Sequence, residues 1–511
     1  MTLDPRAPVI VGAGQVLRHD VSEEESGEPV VLIAEALRRA GEDSGRCERL
    51  LRCADSVRCV PVIGWQYRDA AAIVAELLGV RPRETAQSAA IGGEGPQLLL
   101  NDTARAIAAG EIDVALLGGG EAIASLRAAE LAGRIPRWRR QPEGARPTRA
   151  LGRDRPPINE AEIAAGLAPP VFMYALIETA VRATGGSAPG THLARIAGLW
   201  SRFSAVAAEN PYAWIKRRYT PTQIAAPGPE NRLVSAPYTK LLTANIQVNM
   251  ASGLIVASAE AARRAGVPKD RWVFIHAGAQ AEDEWHVTER DRLAASPAIN
   301  AVGRAALHHA GLAVDDVAHV DLYSCFPAAV QIAARELGLA TDEAARPLTV
   351  TGGLTFAGGP GNNYSGHAIA TLVQRLREDP AAFGLVTAVG WYLTKHAIGI
   401  YSARPPRAAF TSLDPRPQRP PARRARSDYA GPAAIEAYTV VHQRDGTADA
   451  AIISALTPHG ERSVIRTADR DVIEAIASDD PSGWPISIGA NQRVSIKNPA
   501  GGGMDAGRTF P

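Results

Sequence analysis

Through the first 400 residues, short apolar runs of strand character alternate with longer stretches whose apolar positions recur every three or four residues. Pro8-Val9-Ile10-Val11 predicts a strand, 30–40 a helix, 56–62 a strand and 71–78 a helix. That alternation predicts an α/β architecture. Further on the period becomes two: 435–442, 450–456 and 462–467 predict strands, joined by turns at Asp445-Gly446 and Pro458-His459-Gly460. A small β-rich domain, OB-like or otherwise barrel-shaped, is therefore expected over 430–497. The glycines Gly501-Gly502-Gly503 place a mobile tail at 498–511.

Segments of the α/β part recur at a nearly constant offset. Ala36-Leu37-Arg38-Arg39-Ala40-Gly41 returns about 270 residues later as Ala306-Leu307-His308-His309-Ala310-Gly311. In each, the glycine stands where a helix is expected to stop. Likewise Ile91-Gly92-Gly93-Glu94-Gly95-Pro96 opens a helical run, 97–109, that leads to the strand 114–117 and Gly118-Gly119-Gly120. Its counterpart is Ala357-Gly358-Gly359-Pro360-Gly361, the run 362–378, the strand 385–388 and Val389-Gly390. Two matches at one offset predict an internal duplication. The resulting division is a first half of 1–125 and 246–270, a second half of 271–403, and between them an inserted loop subdomain, 126–245, rich in Arg and Pro. A linker, 404–429, carries Pro405-Pro406 and Pro420-Pro421.

A hydrophobic content of 46%, with 21% charged residues, describes a water-soluble, well-packed chain, and a formal net charge of +1 provides no field to draw nucleic acid. No apolar run approaches membrane-spanning length, and the N-terminal residues lack a signal-peptide pattern, so cytoplasm is the expected location. Four cysteines, three of them spaced by six at Cys47, Cys53 and Cys59, form neither a redox pair nor a zinc knuckle. No metal is expected. Gly12-Ala13-Gly14 after the first strand is similar to a dinucleotide fingerprint, but Leu17 stands in place of the third glycine, which excludes NAD.

Both glycine-rich turns deliver the chain to a helix N-terminus, where free N–H groups and the helix dipole favour negative charge. In a duplicated fold the two turns would face one pocket suited to a thioester oxygen or its oxyanion. These blocks resemble the thiolase superfamily. Gly92-Gly93-Glu94-Gly95-Pro96-Gln97, leading to Gly119-Gly120-Glu121, is similar to the block that begins with the acyl-accepting cysteine. Asp321-Leu322-Tyr323-Ser324-Cys325-Phe326 is similar to the Asn-Glu-Ala-Phe or His-Asp-Cys-Phe block, 352–361 to the Gly-His-Pro block, and 385–390 to the second cysteine loop. With Tyr392-Leu393-Thr394-Lys395-His396, Pro237-Tyr238-Thr239-Lys240 and the fused β domain, the likeness is nearest to thiolase-like proteins of type 1.

The resemblance implies a five-layer α-β-α-β-α fold made of two duplicated halves, with the small C-terminal β-rich domain added. It also implies a protein of lipid metabolism that binds CoA or an acyl-CoA as a ligand, with no covalently bound cofactor and with backbone donors at Gly92, Gly358, Gly359 and Gly390. His396 is a further candidate contact, for a CoA phosphate. An acetyl-CoA acetyltransferase homologue is the implied class. Yet Gly92, Gly359 and Ala388 stand where the family carries its nucleophilic cysteine, its histidine and its second cysteine, so thiol-dependent thiolysis is predicted absent. The alternative is an enzyme on CoA thioesters that forms no acyl-cysteine, such as one performing retro-aldol cleavage of a β-hydroxyacyl-CoA. Tyr323, Tyr364 and His367 are its candidate acid and base groups. Monomer and homodimer are both left open.

Overall fold

The computed structural model describes residues 3–21, 24, 27–89, 91–341 and 346–496. The tail expected at 498–511 lies outside them. Among the described residues, twelve strands lie within the first 402: β1 (Pro8–Leu17), β2 (Ser56–Cys59), β3 (Glu84–Ser88), β4 (Val114–Ala122), β5 (Arg149–Leu151), β6 (Leu233–Ser235), β7 (Tyr238–Thr239), β8 (Asn249–Ser258), β9 (Val273–Glu282), β10 (Val317–Asp321), β11 (Phe383–Gly390) and β12 (Lys395–Ser402).

The duplication expected from the sequence is written in the strand order. One half-sheet runs β2-β4-β8-β1 and the other β10-β11-β12-β9. In each, the first pair is parallel and the next two are antiparallel. A short antiparallel contact, Val9↔Phe274 and Ile10↔Val273, joins the halves along β1 and β9. Both strands are apolar and buried on both faces for most of their length, as strands covered by helices on each side must be. The outer helices correspond too: Pro29–Asp43 follows β1 and Pro297–Ala310 follows β9.

Helices Gly95–Ala108 and Tyr364–Glu378 pack against each other and against strands of both half-sheets, forming the middle of five layers. Their N-termini carry the two glycine-rich turns, and the pseudosymmetry brings those turns together. The first half adds β3 beside β2, and its far edge is covered in parallel by β5. Gly311 ends its helix in the left-handed conformation (φ 68°), but Gly41 does not end the other: that helix continues through it to Asp43, with Ser44 as the cap.

Helices rather than loops dominate the insert. Pro170–Thr184 and Pro189–Glu209 bury Tyr174, Trp200 and Phe203 in the main core. Prolines at the start of Pro170–Thr184, Pro189–Glu209 and Pro221–Ala225 sit where the missing N–H costs no helical bond. Proline content that reads as irregular chain is here a set of helix starts.

Residues 404–429 are also more ordered than a linker. β13 (Ser412–Leu413) pairs with β9, and β14 (Ala425–Arg426) pairs with a strand of the C-terminal domain. That domain contains β15 (Gly431–His442), β16 (Ala448–Leu456), β17 (Arg462–Thr467), the helix Arg470–Ser478, β18 (Pro485–Ile488) and β19 (Val494–Ile496). The order β14-β17-β16-β15-β18-β19 stays open, so among the described residues no pairing closes a barrel. β6 of the insert pairs with β15 at Val441↔Ser235. The fully buried Arg462 meets both oxygens of Glu436 at 2.7 Å and the backbone carbonyl oxygens of Thr288, Arg290 and Asp291, fastening this domain to the α/β body. No helix is long and apolar enough to cross a membrane, among the described residues.

Candidate functional site

The turn before helix Gly95–Ala108 meets the hairpin between β11 and β12. Gly390 and Lys395 are paired at the base of that hairpin, and its tip includes Trp391 and Leu393, both in the left-handed region at φ 57° and 56°. Such backbone is costly for side chains of this size and persists only when its surroundings hold it. The insert supplies that hold: the Tyr174 hydroxyl donates to the Trp391 carbonyl at 3.0 Å and accepts from the Leu393 N–H at 3.2 Å. The same helix accepts the Tyr438 N–H of the C-terminal domain at Thr179, 3.0 Å.

At the centre is Glu94. Its carboxylate lies in an ion pair with Lys395 (Oε1 to Nζ 2.6 Å), each side chain only 5% exposed. The ammonium also donates to the Ile91 carbonyl at 3.0 Å. The second carboxylate oxygen, Oε2, is buried and has no hydrogen-bond partner among the described residues. A methyl group placed on Gly92 would fall 2.0 Å from that oxygen, and one placed on Gly390 would also fall 2.0 Å from it. Both glycines are therefore required by the carboxylate, which occupies the space into which a side chain at position 92 would project. Burial raises the Glu94 carboxyl; Lys395 and His396 oppose this, but the net direction is upward.

The Gly92 N–H donates to Asn362 Oδ1 at 2.7 Å, and Asn362 Nδ2 donates to the Pro61 carbonyl at 2.9 Å. Ser365 donates to the Gly93 carbonyl at 3.0 Å. The second glycine-rich turn is thus clamped onto the first. Gly359 donates to the Asn245 carbonyl at 2.8 Å, and Gly358 (φ 109°) packs against Met250 and Val248. Ala388 is fully buried on β11, two residues from Gly390 and so on the same face of the strand.

Tyr323, 7% exposed, lies over this turn: a methyl group on Gly93 would fall 2.1 Å from its hydroxyl. Its N–H donates to Thr387 Oγ1 at 2.9 Å. Burial, then Cys325 and Glu94, push its phenol well above the usual value. Tyr364 meets Tyr323 edge to face with ring centres 5.4 Å apart, but its hydroxyl is engaged by Asp321 at 2.9 Å and Thr351 at 2.7 Å. It holds the 321–326 block in place. His367 is directed elsewhere, with Nδ1 2.8 Å from Gln15 Oε1 on β1, and burial pushes it down to about 3. His396 is likewise interior: Nε2 is 3.2 Å from Asp283, which also accepts from Ser296. Burial would raise Asp283, but His396, Arg290 and Ser296 hold it below its usual value. His396 is 3% exposed, which does not suit it to a CoA phosphate at the surface. The Cys325 thiol is pushed up to about 12 by burial, which makes it a poor nucleophile.

Glu94 and Lys395 form a buried ion pair at the meeting of the two turns, and Glu94 is not among the candidates that the sequence offers. Its signal was an acid among glycines at an otherwise apolar helix start; its partner lies 301 positions away. A cavity of about 560 Å³ lies beyond Asp283, between that region and residues 415–422, with Arg290, Arg292, Arg304, Glu336 and Arg419 among its lining. Its mixed charges set no single field. Among the described residues, no cluster of His, Cys, Asp or Glu is placed to hold a metal ion.

Glu121, where the block that opens at Gly92 ends, lies between the 63–64 loop and Gly361 of the second glycine-rich turn. It accepts from the N–H groups of Ile63 (2.6 Å) and Gly64 (3.1 Å), and burial pushes its carboxyl from 4.5 up to about 7. Between those values the unfolded chain releases a proton that the folded chain keeps. The stability it contributes is full below pH 4.5 and is lost as pH rises through 7, at up to about 1.4 kcal/mol per pH unit. Glu121→Gln is expected to lose that slope, so its denaturation midpoint should lie furthest below the native one near pH 5 and approach it by pH 8.

Comparison with known proteins agrees with this architecture. The family of thiolase C-terminal domain-like sequences matches residues 279–389, and the thiolase-like protein type 1 additional C-terminal domain matches 413–493. The crystal structure of a monomeric SCP2-thiolase-like protein type 1 from Mycobacterium smegmatis is 31% identical, with 97% of this chain and 100% of that one covered and a TM-score of 0.80. An Ltp2-ChsH2(DUF35) aldolase shares the fold at 19% identity, covering 78% of this chain and 99% of that one, TM-score 0.58. Human mitochondrial 3-ketoacyl-CoA thiolase does so at 16%, covering 79% and 100%, TM-score 0.55. No curated protein matches the sequence. A 31% identical relative matched over nearly the whole length, with the additional domain present, places the chain in the thiolase superfamily, among the type 1 thiolase-like proteins.

Proposed function

We propose that this protein binds CoA thioesters of lipid metabolism at the Gly92–Gly390 turns and forms no acyl-cysteine there. The observation that carries this reading is the Glu94 carboxylate, which lies where a side chain at position 92, the position that the resemblance aligns with the family's nucleophile, would project. A carboxylate paired with an ammonium can hold or move a proton, but it cannot form the acyl-thioester intermediate that a thiolate forms. Three exposed isoleucines support an acyl ligand. Ile91 adjoins Gly92, Ile63 is held by Glu121, and Ile246 follows Asn245, the acceptor of the Gly359 N–H. Loops tied to the two turns thus offer an apolar rim. The chain acts as a monomer in this reading, since β5 covers the edge of β3.

The test is calorimetry with CoA, acetyl-CoA and a long-chain acyl-CoA, together with intact-mass spectrometry after incubation with acetoacetyl-CoA. Saturable binding that tightens with acyl length, with no acylated protein, is expected. Absence of binding, or thioester turnover abolished by Cys325→Ala, would contradict it.

A further inference from the structure

We infer that Glu94 is the proton acceptor of an enolising site for the CoA thioester, with Lys395 as its positioning residue and the Tyr323 hydroxyl as the hydrogen-bond donor to the developing enolate oxygen. This deepens the proposed function and rests on it.

Three independent features single out Glu94. Among the described residues its Oε2 is a buried acceptor without a partner, whereas Oε1 is fixed by Lys395. Most buried polar atoms are satisfied, so an unsatisfied carboxylate oxygen at the start of a central helix calls for a chemical reason. Second, Gly92 and Gly390 leave room for that oxygen and for no side chain of their own. Third, the Tyr323 hydroxyl rests on Gly93, the residue before Glu94, and no hydrogen bond occupies it among the described residues. An acceptor and a donor thus face one turn, which is the arrangement a proton transfer next to a carbonyl requires.

The step balances without an oxidant or reductant. Glu94 Oε2 takes a proton from the carbon next to the thioester carbonyl, and the C–H electron pair passes into the carbonyl to give the enolate, whose oxygen accepts from Tyr323. The protonated Glu94 exchanges its proton with water and then returns one to the same carbon. For a β-hydroxyacyl thioester the same carboxylate takes the hydroxyl proton. The bond between the α and β carbons breaks, an aldehyde or ketone leaves, and the enolate of the shortened thioester is protonated by Glu94. Water-derived hydrogen therefore enters the α carbon in either case.

The experiment is deuterium incorporation into acetyl-CoA in D2O, followed by NMR, with binding measured in parallel by calorimetry. The native protein is expected to catalyse exchange. Glu94→Gln should slow it about 100-fold or more while acetyl-CoA still binds. Glu94→Asp keeps the charge and the ion pair but withdraws the carboxylate by one methylene, so it should remain folded and lose at least tenfold. Binding without exchange in the native protein, or exchange unchanged in either variant, would overturn the inference and leave the binding reading standing. Absence of binding in the native protein would remove both.

Discussion

Replacing Lys395 with alanine is expected to destabilise the protein by about 3–5 kcal/mol, the usual consequence of leaving one member of a buried ion pair without its partner. Both side chains are 5% exposed and meet at 2.6 Å, so little water is available to substitute for the ammonium. Burial already raises the Glu94 carboxyl, and loss of Lys395 removes the main opposing influence. The carboxyl would rise further. A group raised in the folded state contributes stability that is present below its unfolded value, 4.5, and is lost as pH climbs through the folded one. The loss in Lys395→Ala should accordingly be smallest near pH 4.5 and grow toward pH 8. Urea denaturation at three pH values measures it. A loss below about 1 kcal/mol at every pH would mean that the pair behaves like an exposed one.

Gly92→Cys places a thiol at the position that the resemblance aligns with the family's nucleophile, and it is expected to cost about 3 kcal/mol or more and to yield no thiolysis. The new Cβ would arrive 2.0 Å from Glu94 Oε2 and 2.6 Å from Oε1. Neither the backbone, held through Asn362, nor the carboxylate, held by Lys395, has an easy way to yield. Positions 92 and 94 are therefore expected to be strongly coupled. In a Glu94→Ala background the carboxylate is gone, and Gly92→Ala should then cost less than it does alone by about 2 kcal/mol. Simple additivity of the two changes would show that the glycine is not there to admit the carboxylate.

The duplication was legible because both copies kept their turn, helix and strand in one order, and the half-sheets β2-β4-β8-β1 and β10-β11-β12-β9 repeat that order in space. The strands of the C-terminal domain were also readable, although β16 and β17 are buried on both faces for most of their length, because short apolar runs there are bounded by turn residues; β17 has the expected bounds, Arg462–Thr467. Local signals failed where tertiary packing decides. Gly41 lies on a buried helix face and stays helical, while Gly311 takes the left-handed conformation that ends its helix. Lys395 and His396 have the composition of a solvated loop, yet they open an interior strand between β11 and β9. Glu94 could not be assigned because its role depends on an ammonium brought in by that strand, and His367 faces Gln15, 352 positions away. Of the three catalytic candidates, Tyr323 alone rests on the turn that holds Glu94; Tyr364 supports its block, and His367 serves the core.

The claim that the thiolase-type pocket persists, with a carboxylate in the place of the thiol, is most directly tested by a crystal structure of the protein with acetyl-CoA. The predicted result has the thioester carbonyl within hydrogen-bonding reach of the Tyr323 hydroxyl, its α carbon facing Glu94 Oε2, and no covalent bond to Cys325. CoA seated instead in the cavity beside residues 415–422, with the Gly92–Gly390 turns unchanged and closed around Glu94, would contradict it.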